Sequence, residues 1–161
     1  IGFCLVGSEM CIRDRLELNY TNISLVDISS NALKEVKDRL QNKSLNFIET
    51  DILNFNSNDK YDIWHDRAVL HFITNPEGIE KYISLCNKYI NNHGILIIGA
   101  FAEDGPLKCS GLEIKRYSVD QISGLFKETF KLVESFKMLH KTPFDTEQSF
   151  SFCVLRKFTH H

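Results

Sequence analysis

The sequence predicts an α/β domain with a mostly parallel sheet, helices on both faces and an antiparallel ending. Three observations carry this. The short strand-like runs Ile23-Ser24-Leu25-Val26-Asp27 and Asn46-Phe47-Ile48-Glu49-Thr50-Asp51 flank one helical segment. Ile95-Leu96-Ile97-Ile98 is uninterruptedly apolar, as a central parallel strand covered on both faces must be. The last two strand-like runs, 132–139 and 149–155, are joined by the turn-forming Thr142-Pro143-Phe144-Asp145 and read as an antiparallel pair.

The elements follow in order. Ser29 or Ser30 caps a helix whose Leu33, Val36 and Leu40 share one face, with Asn42-Lys43 ending it. After the strand that closes at Asp51, residues 54–59 form a polar turn in which Phe55 is the buried anchor. The run Tyr61-Asp62-Ile63-Trp64-His65 is the next strand, and Ala68 to Ile73 fits either a short helix or a packed loop. Asn75 caps the following helix, with Pro76 at its first position and Glu77 at the favourable end of the dipole. Ile79, Ile83, Cys86 and Ile90 form its buried stripe, and Gly94 is expected to stop it. The stretch Glu103 to Tyr117 is long for a plain connection and reads as a functional lid. Ser118 and Gln121 make a capping box for a helix carrying Ile122, Leu125 and Phe126.

Composition narrows the function. A chain of 161 residues with 43% hydrophobic and 25% charged residues is sized for one core. A net charge of -2 offers no long-range attraction to nucleic acid or to an anionic membrane. No apolar run approaches the ~20 residues of a membrane span. Five scattered cysteines without CxxC spacing read as reduced thiols in the cytoplasm, not as a disulfide frame or a zinc site. No histidine spacing points to a metal.

The two strand-end aspartates are the clearest chemical signal. In a doubly wound sheet ligands lie across the carboxyl ends of the strands, where an acid after the second strand accepts hydrogen bonds from ribose hydroxyls. Asp27 stands there, and Asp51, one strand further out, is placed to receive an exocyclic amine. The pair therefore marks a pocket for an adenosine-like group.

From about Leu16 to Lys157 the chain resembles the class I S-adenosylmethionine-dependent methyltransferases, whose Rossmann-like sheet of seven strands ends antiparallel. The likeness rests on 25–29, 49–52, 61–66 and 92–96 in that order, together with the closing pair of strands. It implies S-adenosylmethionine as cofactor, with Asp27 on the ribose, Asp51 on the adenine amine, and Ile28 and Ile52 beside the ring. It places Trp64 and His65 near the methionine part. The family's glycine-rich turn is not found; residues 3–15 stand in its place and resemble translated sequencing-adaptor sequence. On that reading residues 1–15 are not native and the methyltransferase domain is 16–161, its first strand and glycine loop truncated or replaced. The alternative is a divergent first strand.

On the acceptor side, a small molecule is the expected substrate. Methyl transfer from a sulfonium depends chiefly on alignment and water exclusion, and needs a base only for a protonated acceptor. His65, Asp66 and His71 are the candidate catalytic groups near the end of the fourth strand. Arg67, Cys109, Arg116 and Tyr117 are the candidate substrate contacts, Arg116 for an acidic one, and His140 with Gln148 could reach the same rim. The competing class is a non-catalytic Rossmann-like remnant or binding module.

Overall fold

The computed structural model describes residues 2–6, 22–41 and 45–159. Seven strands form one sheet: β1 (Gly2–Val6), β2 (Asn22–Asp27), β3 (Leu45–Glu49), β4 (Tyr61–Arg67), β5 (Ile90–Phe101), and, after the short β6 (Lys108–Cys109) and β7 (Leu112–Glu113), the long β8 (Phe130–Lys141) and β9 (Glu147–Lys157). Their order is β3-β2-β1-β4-β5-β9-β8, and β9 alone runs against its neighbours. The order reverses between β1 and β4, the position where open α/β sheets bind ligands.

Gly2–Val6 is the central strand, in parallel register with β2 from Gly2↔Asn22 and with β4 from Phe3↔Ile63. Residues 7–21, where the glycine-rich turn is expected, lie outside the described residues, as does the expected helix end at Asn42-Lys43.

Helices cover both faces. Helix α1 (Ser30–Leu40) starts where the Ser29 hydroxyl accepts from Ala32 N, and Gln41 closes it in the left-handed region at φ 45°. Its Leu33, Val36 and Leu40 pack on Ile23, Leu25, Leu45 and Phe47. On the opposite face lie α2 (Pro76–Tyr89), capped by Asn75, and α3 (Val119–Phe126), whose capping box is closed by Gln121 N to Ser118 Oγ and Ser118 N to Gln121 Oε1. There Phe55, Tyr61, Trp64 and Tyr89 meet edge-on or tilted, with Phe55 centred 5.4 Å from Trp64 and 5.0 Å from Tyr89. Edge contacts of this kind add about 1 kcal/mol each to the area they bury.

Two boundaries differ from expectation. Helix α2 stops at Tyr89 rather than at Gly94, because Lys157 reaches across from β9 and its ammonium donates to the Asn87 and Ile90 carbonyls. Gly94 instead serves a bulge in β5 where the pairing with β4 jumps from Tyr61↔Ile90 to Ile63↔Ile95. A side chain there would run into Ile90 and the Asn91 carbonyl. The run Ala68 to Ile73 is a packed connection with one 3-10 turn, Leu70–Phe72.

Candidate functional site

The site is built from the strand ends upward. At the end of β2, Asp27 Oδ1 accepts from Ser29 N at 2.8 Å, and the Asp27 carbonyl accepts from Thr50 N, tying the β2 end to the β3 end. Asp51 lies two residues beyond β3, not within it. It caps a second 3-10 turn, Ile52–Asn54, with its Oδ1 accepting from Leu53 N at 2.9 Å. In both residues the cap fixes the carboxylate and uses one oxygen. Among the described residues the other oxygen carries no hydrogen bond, so each acid is held and still has lone pairs to offer.

A cavity of about 970 Å³ runs from these two acids to the far side of the β4 end. One wall is Val26, Asp27, Ile28, Thr50, Asp51 and Ile52. Ile28 is 70% exposed, an apolar side chain held at the mouth, whereas Ile52 is buried behind it. The other wall holds Arg67, Phe72, Phe101, Cys109, Glu113, His140, Gln148 and Phe150. The stretch expected as a lid is a tight hairpin, β6 to β7, whose Ser110 and Gly111 have φ of 51° and 78°. Positive φ at both positions is the geometry a right-twisted hairpin needs. It brings Cys109, Leu112 and Glu113 over the cavity.

Other expected site residues are placed elsewhere. Trp64 is fully buried and its indole donates to the Tyr82 hydroxyl, so it is a core side chain and does not line the cavity. His65 is buried within the sheet, in register with Leu5 of β1 and Ile97 of β5. Asp66 is fully buried, and accepts from Val69 N at 2.9 Å, Leu70 N at 3.1 Å and Tyr82 Oη at 2.6 Å. Burial pushes its carboxyl up to about 7 against the pull of those donors, and burial with the adjacent acid pushes the Tyr82 hydroxyl well above its ordinary range. Asp66 therefore folds the β4 end back through the 3-10 turn. His71 is buried with Nδ1 accepting from Phe101 N at 3.2 Å, and desolvation lowers its pKa to about 4, so the ring is neutral.

Arg116 turns to the Gly105 carbonyl and Tyr117 is buried, its hydroxyl pushed up to about 12 by desolvation; neither reaches the cavity. The alternation of β4 explains the outcome. Trp64 and Asp66 fall on the α2 face, while Arg67, last in the strand, lies against Phe150 and the cavity. Phe101 and Phe150 escaped the sequence reading, although the alternation of Phe150 and Phe152 with serines was a visible sign of a wall. Among the described residues no group of three histidine, cysteine or acidic side chains is placed to hold a metal.

A family model for a methyltransferase domain matches residues 10–138. The chain belongs to that methyltransferase family. Its fold is that of the class I S-adenosylmethionine-dependent enzymes. Over 85 residues, 52% of the chain, it is 31% identical to malonyl-[acyl-carrier protein] O-methyltransferase 2 of Ilyobacter polytropus, and this stretch spans 32% of that relative's length. The methyltransferase domain superposes on the N-methyltransferase NodS of Bradyrhizobium japonicum, solved with S-adenosyl-L-homocysteine, with a TM-score of 0.75 at 13% identity, covering 97% of this chain and 77% of that one. A methyltransferase of Methanosarcina mazei gives 0.78 at 11% identity, covering 99% and 93%. At such identities the superpositions speak for the methyltransferase fold alone.

Proposed function

We propose that this domain transfers a methyl group from S-adenosylmethionine to a small-molecule acceptor, with the two partners meeting in one cavity at the β1/β4 switch point. The observation that carries this reading is the continuity of that cavity. Among the described residues, one wall offers two held carboxylates, each with an oxygen that carries no hydrogen bond, beside apolar Ile28 and Ile52, and the other is an aromatic wall with one cation.

The donor set fits an adenosine. Asp27 is suited to the ribose hydroxyls, Asp51 to the adenine amine, and Ile28 and Ile52 to the two faces of the ring. When bound, S-adenosylmethionine supplies an electrophilic methyl on a sulfonium. What this chain adds is alignment and exclusion of water, effects that suit a displacement in which charge disperses. Phe72, Phe101 and Phe150 exclude water, and the β6–β7 hairpin overhangs the same space. No helix among the described residues is long and apolar enough to cross a membrane, and the buried thiols Cys86 and Cys153, outside any disulfide, support a reducing, cytoplasmic setting.

Isothermal calorimetry with S-adenosylhomocysteine tests the reading on the chain of 161 residues. Binding that weakens on Asp27→Ala is expected; a folded protein with no affinity supports a non-catalytic binding module instead.

A further inference from the structure

We propose that the acceptor is a small carboxylic acid with a flat apolar body, its carboxylate gripped by Arg67. This rests on reading the cavity as a methyl-transfer site, and it moves the acid-binding role from Arg116, the arginine the sequence favoured. Arg116 is spent on a backbone carbonyl, whereas Arg67 is the one cationic side chain among the described residues of the cavity wall.

Arg67 is fixed from two sides. Its guanidinium carbon lies 5.5 Å from the centre of the Phe150 ring, and Nη2 is 3.3 Å from His140 Nδ1. A guanidinium has no lone pair to give, so His140 Nδ1 is the acceptor in this contact. That contact occupies one of five N–H groups. Among the described residues no carboxylate lies within ion-pair distance of Arg67, the described pairs being those of Lys137 with Glu103 and Asp104. A half-buried guanidinium, oriented by an aromatic face and a histidine, with donors left over and no acid of its own among the described residues, matches the planar two-pronged geometry of a carboxylate.

The surroundings choose the charge and the body. Asp27, Asp51 and Glu113 line the same cavity, and one cation among three acids favours a monoanion over a phosphate dianion. Phe72, Phe101 and Phe150 bound the space beside the guanidinium, which calls for a flat apolar group attached to the acid.

The test compares 4-fluorobenzoate with 4-fluorobenzamide by fluorine NMR titration of the full chain, with and without saturating S-adenosylhomocysteine. The acid is expected to bind about tenfold or more tightly than the amide, the range of a charge-assisted hydrogen bond. That preference should vanish in Arg67→Gln and be partly kept in Arg67→Lys, while S-adenosylhomocysteine affinity stays where it was. Equal affinity for acid and amide, tighter binding of 4-fluorophenyl phosphate, or a preference that survives Arg67→Gln overturns the proposal. So does loss of S-adenosylhomocysteine binding in Arg67→Gln, which would put Arg67 on the donor's own carboxylate. An acid preference in a protein that binds no S-adenosylhomocysteine would remove the donor reading and leave the acid site standing.

Discussion

The two ends of the cavity are made in different ways. The end proposed for the donor is written locally: Asp27 closes β2, Asp51 stands two residues past β3, and each is fixed by an amide two residues on, so a short stretch of sequence contains both the acid and what holds it. The acceptor end is assembled. Arg67 comes from β4, Phe101 from β5, Cys109 from the hairpin, and His140 and Phe150 from the antiparallel strands, and none has its orientation set by its sequence neighbours. Local construction lets a site be read and leaves it insensitive to distant packing. Assembly lets the acceptor pocket vary while the donor end stays the same.

The largest effect should therefore appear at the donor end and be confined to affinity. Asp27→Ala removes a charged acceptor, and S-adenosylhomocysteine binding is expected to weaken by about ten- to a hundredfold. Helix α1 keeps its Ser29 cap, so unfolding midpoints in urea should shift little. A large loss of stability with unchanged affinity would reduce Asp27 to a turn-forming residue and erase the contrast between the two ends.

The acceptor end should behave in the opposite way, because stability and site shape are coupled there. Phe152 of β9 lies over Gly99 of β5, where any Cβ would strike its ring, and the same ring stacks on Phe136 of β8 at 5.3 Å. Gly99→Val must displace this column, at a cost of about 1–3 kcal/mol. Because Phe150 lies next to Phe152 and under Arg67, binding of 4-fluorobenzoate should fall with stability while S-adenosylhomocysteine binding is spared. Equal losses of both ligands would show that the two ends share one packing unit.

The same division explains what was legible in the sequence. Strand identity, the caps at Ser29, Asn75 and Ser118, and the Asp27 and Asp51 positions depend on neighbours within a few residues, and the sequence shows them. The roles of Trp64, Asp66 and Arg67 depend on which face of β4 each occupies, and that is set by Tyr82 of α2 and Phe150 of β9, both distant in sequence. Gly94 looked like a helix stop because glycine serves both purposes; Lys157, from the far end of the chain, decides where α2 ends. The strand at Gly2–Val6 is an uninterrupted apolar run, the pattern of a central parallel strand, but the likeness of residues 3–15 to foreign sequence put it outside the expected domain 16–161.

Between the two ends, Asp66 and His71 hold the β4 connection, and their titrations oppose each other. Asp66 is raised from 3.8 to about 7, so the folded state binds its proton more tightly, and stability falls as pH rises through that window. His71 is lowered from 6.5 to about 4, so its contribution is present above 6.5 and lost as pH falls toward 4. From about pH 4 to 6.5 the slopes, each at most about 1.4 kcal/mol per pH unit, largely cancel. In Asp66→Asn the His71 slope is left alone, and urea midpoints should drop on acidification relative to the parent. In His71→Gln they should rise. Parallel profiles for the parent and both variants would show that neither group changes its protonation on folding.

The smallest expected effect concerns the hairpin over the acceptor end, and it distinguishes a cover from a tether. Gly111 has φ of 78° with open space where a Cβ would stand, so Gly111→Ala meets no neighbour and is opposed by backbone conformation alone. Such a change costs about 1–2 kcal/mol, and because β6 and β7 are two residues each it should act on the hairpin more than on the sheet. Amide exchange should then quicken around Cys109 and Leu112 while β5 and β9 keep their protection. If the hairpin is a cover, the dissociation rate of 4-fluorobenzoate rises in step with that exchange. If it is only a connection between Phe101 and Tyr117, exchange quickens and the dissociation rate does not move.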